Sequence, residues 1–169
     1  MKQNFYLQYV LLVVAQILIC NFFHFTPYVT LSILPVLALC VPVKVSTPAG
    51  LMIAFATGLA VDFLAEGVVG INTFALVSVA LVRRGLVRRI FGEELIVRGE
   101  NFSVRRAGPL KVTFAIFLVQ TLFMVLYIWA DGASARPFSF NLWRVVASIA
   151  AGVLIGFPIA DMLTPEDRR

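Results

Sequence analysis

Six apolar runs follow one another along the chain, at about residues 5–23, 28–43, 48–64, 68–82, 110–130 and 142–163. A helix that crosses a hydrocarbon core needs roughly 17–25 residues at about 1.5 Å rise each. The pattern predicts an all-α integral membrane protein of about six transmembrane helices, folded as one domain over residues 1–169. The second to fourth runs are short and need tilt or help from flanking residues to complete a crossing. Pro27, Pro35, Pro42 and Pro48 crowd the second run and predict a bent, irregular helix there, while Pro48 suits the first turn of the third.

Composition removes the soluble alternatives. Of 169 residues, 60% are hydrophobic and 14% charged, against 45–50% apolar and about 25% charged in soluble domains. Mean hydropathy is +0.94. Lys2 ahead of the first run resembles the start of a secretory signal, but the run is too long for a signal core, so an uncleaved first helix is expected. Cys20 and Cys40 sit in apolar runs as small hydrophobes. With His24 as the single histidine, they give no metal-ligand spacing. No metal and no cofactor is expected.

The net charge of +5 is distributed asymmetrically. With both termini cytoplasmic, Lys2, Lys44, Arg83, Arg84, Arg88, Arg89, Arg98, Arg105, Arg106, Lys111, Arg168 and Arg169 lie inside, and only Arg136 and Arg144 lie outside. Twelve of the fourteen basic residues therefore obey the positive-inside rule. Residues 83–109 read as a cytoplasmic basic loop. Within it Leu86, Val87, Ile90 and Phe91 recur at helical spacing beside Arg84, Arg88 and Arg89, as in a short interfacial helix. Arg83, Arg84, Arg88 and Arg89 are the candidate contacts for anionic phospholipids or cytoplasmic partners, at about 1 kcal/mol each near an anionic leaflet. This placement points to a membrane face, not to nucleic acid.

The polar residues inside the runs are few. Asp62 lies 14 residues beyond Pro48, about 21 Å up a core of about 30 Å and toward its outer side. A carboxylate there faces a protein interior or a cavity, because lipid exposure costs at least about 2.5 kcal/mol. Asn72 and Thr73 follow beyond Glu66, Gly67 and Gly70, so a tight hairpin of the third and fourth helices would bring all three polar side chains together. The two glycines permit the reversal. Asp62 or Asn72 can then accept amides freed at the turn, or else contact a partner or ligand. Ala54 and Gly58 set a small face on the third helix. In the last run Ser148, Gly152, Gly156 and Ala160 repeat every four residues, a stripe for close packing within the bundle or against another membrane protein.

Catalytic constellations are not expected. Glu93-Glu94-Leu-Ile-Val-Arg98 resembles the first motif of intramembrane CAAX-type proteases, but the downstream histidines of those enzymes have no counterpart. His24, beside Phe22 and Phe23, reads as an interfacial anchor. No nucleophile with a base, Walker loop or Gly-x-Gly-x-x-Gly element occurs.

At the hairpin, Gly58-Leu-x-x-Asp62 with Gly67, Gly70, Asn72 and Thr73, the chain resembles the rod-shape-determining MreD family. The likeness extends over the first ninety residues and includes Asn21-Phe-Phe-His24-Phe-Thr-Pro27 at the end of the first helix. Beyond Arg83 only size and span count agree, and the basic loop is longer than a minimal connection. The resemblance implies a non-enzymatic scaffold of the bacterial inner membrane with a fold similar to the substrate-binding subunits of energy-coupling-factor vitamin transporters. It implies MreC as partner and, through it, MreB, RodA and a class-B penicillin-binding protein. A true transporter subunit is the alternative, although Ala15 is followed four residues later by Ile19, where that class docks through a second alanine.

Overall fold

The computed structural model describes residues 5–22, 29–94, 104–132 and 136–164, with the side chains of residues 105 and 106 excluded. His24, Arg98, Arg168 and Arg169 lie outside the described residues. Helices account for nearly all of the described chain: α1 Phe5–Phe22, α2 Leu34–Cys40, α3 Thr47–Val61, α4 Ile71–Phe91, α5 Val104–Ala107, α6 Pro109–Ala130 and α7 Phe138–Leu163. Between α3 and α4 the helix widens into a π turn, Asp62–Glu66.

Four helical stretches are long and apolar enough to cross a membrane: Phe5–Phe22, Thr47–Glu66, Pro109–Ala130 and Phe138–Leu163. Their outward faces carry large apolar side chains, among them Leu7, Phe63, Phe114 and Leu154. Lipid is as apolar as these side chains, so their exposure costs nothing in a bilayer. Cohesion between the helices must come from close packing and polar contacts.

The second run departs from expectation. Only Leu34–Cys40 is helical, with Pro35 in its first turn, and seven residues rise about 10 Å. Residues 29–33 are non-helical, and Pro42 follows the helix end. Pro35 suits the first turn, where no amide is needed, but cannot supply the amide that an earlier turn would require, so the helix starts at Leu34 with Ile33 as its cap. All seven residues of α2 are buried, and the helix touches α1, α3, α4, α6 and α7. It is the axle of the bundle and not a lipid-facing span.

The stretch 83–91 is helical, as its spacing predicts, but it is not a separate interfacial helix. It completes α4, a 21-residue helix of about 31 Å that stops only at Gly92 with φ 94°. Arg83, Arg84, Arg88 and Arg89 end a span by charge but not a helix by propensity, and cations favour a helix carboxyl end. α3 starts one residue before Pro48, with the Ser46 side chain accepting the Ala49 amide at 3.4 Å.

Side-chain contacts fix the up-and-down order. Asn21 donates to the Leu64 carbonyl, Tyr127 to Glu66 and Arg144 to Thr30. The end of α1, the turn after α3, the end of α6 and the start of α7 thus share one end, which we call the hairpin end. At the opposite, basic end Arg83 reaches the end of α2 and Arg84 reaches Thr47.

Candidate functional site

The hairpin is built around Asp62, which is fully buried. The π turn closes with the Gly67 amide on the Asp62 carbonyl at 2.9 Å, and Gly67 leaves the helix at φ 69°. Gly70, at φ 113°, occupies the cap position of α4 but has no side chain to offer its free amides. Asp62 supplies that function from eight residues upstream. One oxygen, Oδ2, accepts the amides of Gly70 (2.9 Å) and Thr73 (3.0 Å) and the Thr73 hydroxyl (2.6 Å). The other, Oδ1, accepts the Asn72 amide (2.8 Å) and its Nδ2 (3.0 Å). A carboxylate offers about four lone-pair sites, and five donors of its own chain occupy them. Its negative charge also faces the positive end of the α4 macrodipole. The predicted convergence of Asp62, Asn72 and Thr73 is therefore observed, with Asp62 as acceptor throughout.

Gly58 lets the two helices meet. A Cβ there would stand 2.5 Å from Thr73 Cα and 2.9 Å from its nitrogen, both backbone atoms that cannot swing aside. Gly58→Ala is expected to cost about 1–3 kcal/mol by forcing α3 from α4. Thermal unfolding in mild detergent reads this, and an unchanged midpoint would refute the tight crossing.

Around the clasp lies a polar network that sequence reasoning did not assemble. The Tyr127 hydroxyl donates to Glu66 at 2.9 and 3.0 Å. Arg144, buried, donates from Nη1 to Asp131 Oδ2 at 2.6 Å and from Nε to Thr30 Oγ1 at 3.1 Å. Its guanidinium carbon lies 5.9 Å from the Tyr127 ring centroid. Arg136 adds an ion pair to Asp131 at 3.7 Å.

The non-helical segment before α2 carries backbone groups that lipid cannot satisfy. Gln16 of α1, buried, accepts the Ile33 amide at 2.8 Å and donates to the Leu31 carbonyl at 3.1 Å. Gln120 of α6 donates to the Ser32 carbonyl at 3.2 Å, and Ser148 of α7 accepts the Thr30 amide at 2.9 Å. Neither glutamine stood out in the sequence, although each is an amide in the middle of an apolar run.

The α7 stripe serves this interior. Ser148, Gly152, Gly156 and Ala160 are all buried. Gly152 lies against the Gln120 side chain, and a Cβ on Gly156 would stand 2.7 Å from a Val36 methyl and 3.0 Å from an Ile116 methyl. Between the two roles expected for the stripe, its residues take the internal one.

The four arginines of α4 divide. Arg83 donates to the Leu39 carbonyl at 3.0 Å and to the Val41 carbonyl, capping α2. Arg84 donates to Thr47 Oγ1 at 3.2 Å. Arg88 pairs with Glu93, and Arg88 and Arg89 are exposed. Among the described residues no group of three His, Cys, Asp or Glu side chains could hold a metal ion. Compared with protein-family models, curated proteins and solved structures, the chain matches none of them.

Proposed function

We propose that the chain is an MreD-like membrane scaffold of the bacterial cell-elongation complex. In this reading both termini are cytoplasmic and the hairpin end faces outward. The chain passes six times between the membrane faces, its second passage made by residues 29–33 together with α2. Binding MreC, it supports MreB, RodA and a class-B penicillin-binding protein in lateral wall synthesis.

One observation carries this reading: the carboxylate on which the family likeness depends has its acceptor capacity filled by the start of α4. Such a residue fixes the shape of a hairpin for recognition. It is poorly placed for proton transfer, which requires access to a reacting group. A substrate-binding transporter subunit is less well supported, because among the described residues the buried α2 fills the middle of the bundle, where such a subunit needs its pocket. Basic residues also gather at the end opposite the hairpin, as cytoplasmic ends do.

Affinity capture of the full chain from bacterial membranes in mild detergent tests the proposal. MreC is the expected partner. Recovery of a coupling ATPase in its place would refute the scaffold and support the transporter subunit.

A further inference from the structure

The span Phe138–Leu163 carries two charged side chains, and they face opposite ways. Arg144 is buried and bonded to Thr30 and Asp131. Asp161 is exposed and makes no ion pair among the described residues. It follows Arg144 by about 25 Å at ~1.5 Å per residue, which puts it at the basic end of the bundle. An ionisable residue within a span ordinarily faces protein or a polar cavity, because lipid exposure is costly. Trp143, Ala150, Leu154 and Asp161 are all exposed. At about 100° per residue they fall within about 40° of one another, on a single line down α7. Pro158 lies beside this line and is exposed as well. It has no amide, so the Leu154 carbonyl lacks the helix donor four residues on. Both ends of the missing bond stand at exposed residues, and lipid tails offer that carbonyl no donor.

We propose that this face of α7 docks a transmembrane helix of another protein. That helix carries a Lys or Arg at the basic end to meet Asp161, and a hydroxyl or amide donor about 10 Å deeper to meet the Leu154 carbonyl. Ala150, between Trp143 and Leu154, leaves room for the two backbones to approach. Charge and hydrogen bonding choose this occupant over the others. Acyl chains satisfy neither polar group, and Asp161 repels an anionic headgroup. Two copies of the chain share one orientation in a membrane, so a two-fold pair through this face would set Asp161 against Asp161. The buried residues Ser148, Gly152, Gly156 and Ala160 line the opposite side of α7, so docking leaves the packing of the bundle intact. The face is available whether or not the chain serves the elongation complex.

Site-specific photocrosslinking of the full chain in the membranes of living cells tests this. A photoreactive benzoylphenylalanine at position 154 is compared with one at position 117, an exposed site on α6 about 9 Å from Lys111 and so at similar depth. Position 154 should give an adduct with one other membrane protein, in a yield at least about fivefold above position 117. Mass spectrometry should place the crosslink in a transmembrane segment flanked by Lys or Arg at the basic end. Asp161→Arg should lower the yield about fivefold, and reversing the charge on that flank of the partner should restore it. Pro158→Ala returns an amide to the Leu154 carbonyl and should lower the yield about threefold. The proposal is overturned by an adduct of two copies of the chain, by lipid adducts alone, or by equal yields at the two positions. A yield indifferent to both substitutions, or one that the charge reversal leaves unrestored, overturns it as well. If a variant loses its fold, the comparison of positions 154 and 117 still decides.

Discussion

Asp62→Ala is expected to cost about 3–5 kcal/mol of folding free energy, the scale of breaking a buried charged contact. The loss comes from the donors left behind. The amides of Asn72 and Thr73 and both their side chains are buried, and alanine accepts from none of them. Each stranded group costs about 1–3 kcal/mol, and partial relaxation of the turn keeps the sum below the full count. Gly70 is less affected, because it is half-exposed and water can replace the carboxylate. Asp62→Asn should recover less than half of the loss: one oxygen remains, but an NH2 group now faces donors. Thermal unfolding in mild detergent gives the stability, and for the scaffold we propose, recovery of MreC by capture gives the functional consequence. Wild-type values of both would show that the carboxylate is dispensable.

Gln16→Leu should cost about 2–4 kcal/mol although it nearly conserves volume. The Gln16 amide behaves as a stray peptide unit laid beside residues 31–33: its oxygen takes the Ile33 amide and its NH2 feeds the Leu31 carbonyl. Leucine keeps the packing and strands both groups at about 1–3 kcal/mol each. Hydrogen exchange of the Ile33 amide should accelerate along with the fall in unfolding midpoint. A variant with unchanged exchange would mean that other groups hold the segment in place.

These two residues mark the limits of what could be read in advance. Hydropathy placed α1, α3 with its π turn, α6 and α7 within a few residues, because a helix whose outer face meets lipid is apolar over a long stretch. It also drew attention to Asp62, whose charge interrupts a run, and glycine spacing gave the turn that brings Asn72 and Thr73 to it. Window averages failed where burial rather than lipid made a run apolar. The run 28–43 reads as a span partly because protein surrounds its residues 32–41, and an average cannot distinguish a helix from a non-helical segment. Gln16 and Gln120 were diluted by their apolar neighbours for the same reason. Arg83 to Phe91 read as a helix of their own and not as the end of α4, because charge marks the end of hydrocarbon and not the end of a helix. The Thr30 partner of Arg144 could not be found at all, since it lies 114 residues away.

The sequence distances across the non-helical segment also set a timetable for biogenesis. The Ser32 carbonyl and the Thr30 amide find their partners 88 and 118 residues downstream. Synthesis at roughly 5–20 residues per second separates Thr30 from Ser148 by roughly 6–24 s. Throughout that interval the segment cannot rest bare in hydrocarbon. It must wait near the aqueous surface or in the shelter of the insertion machinery until α7 has emerged. Insertion of α1 and α3 and completion of the bundle are therefore separate events. A nascent chain stalled before Ser148 would present an unfinished segment to quality-control proteases.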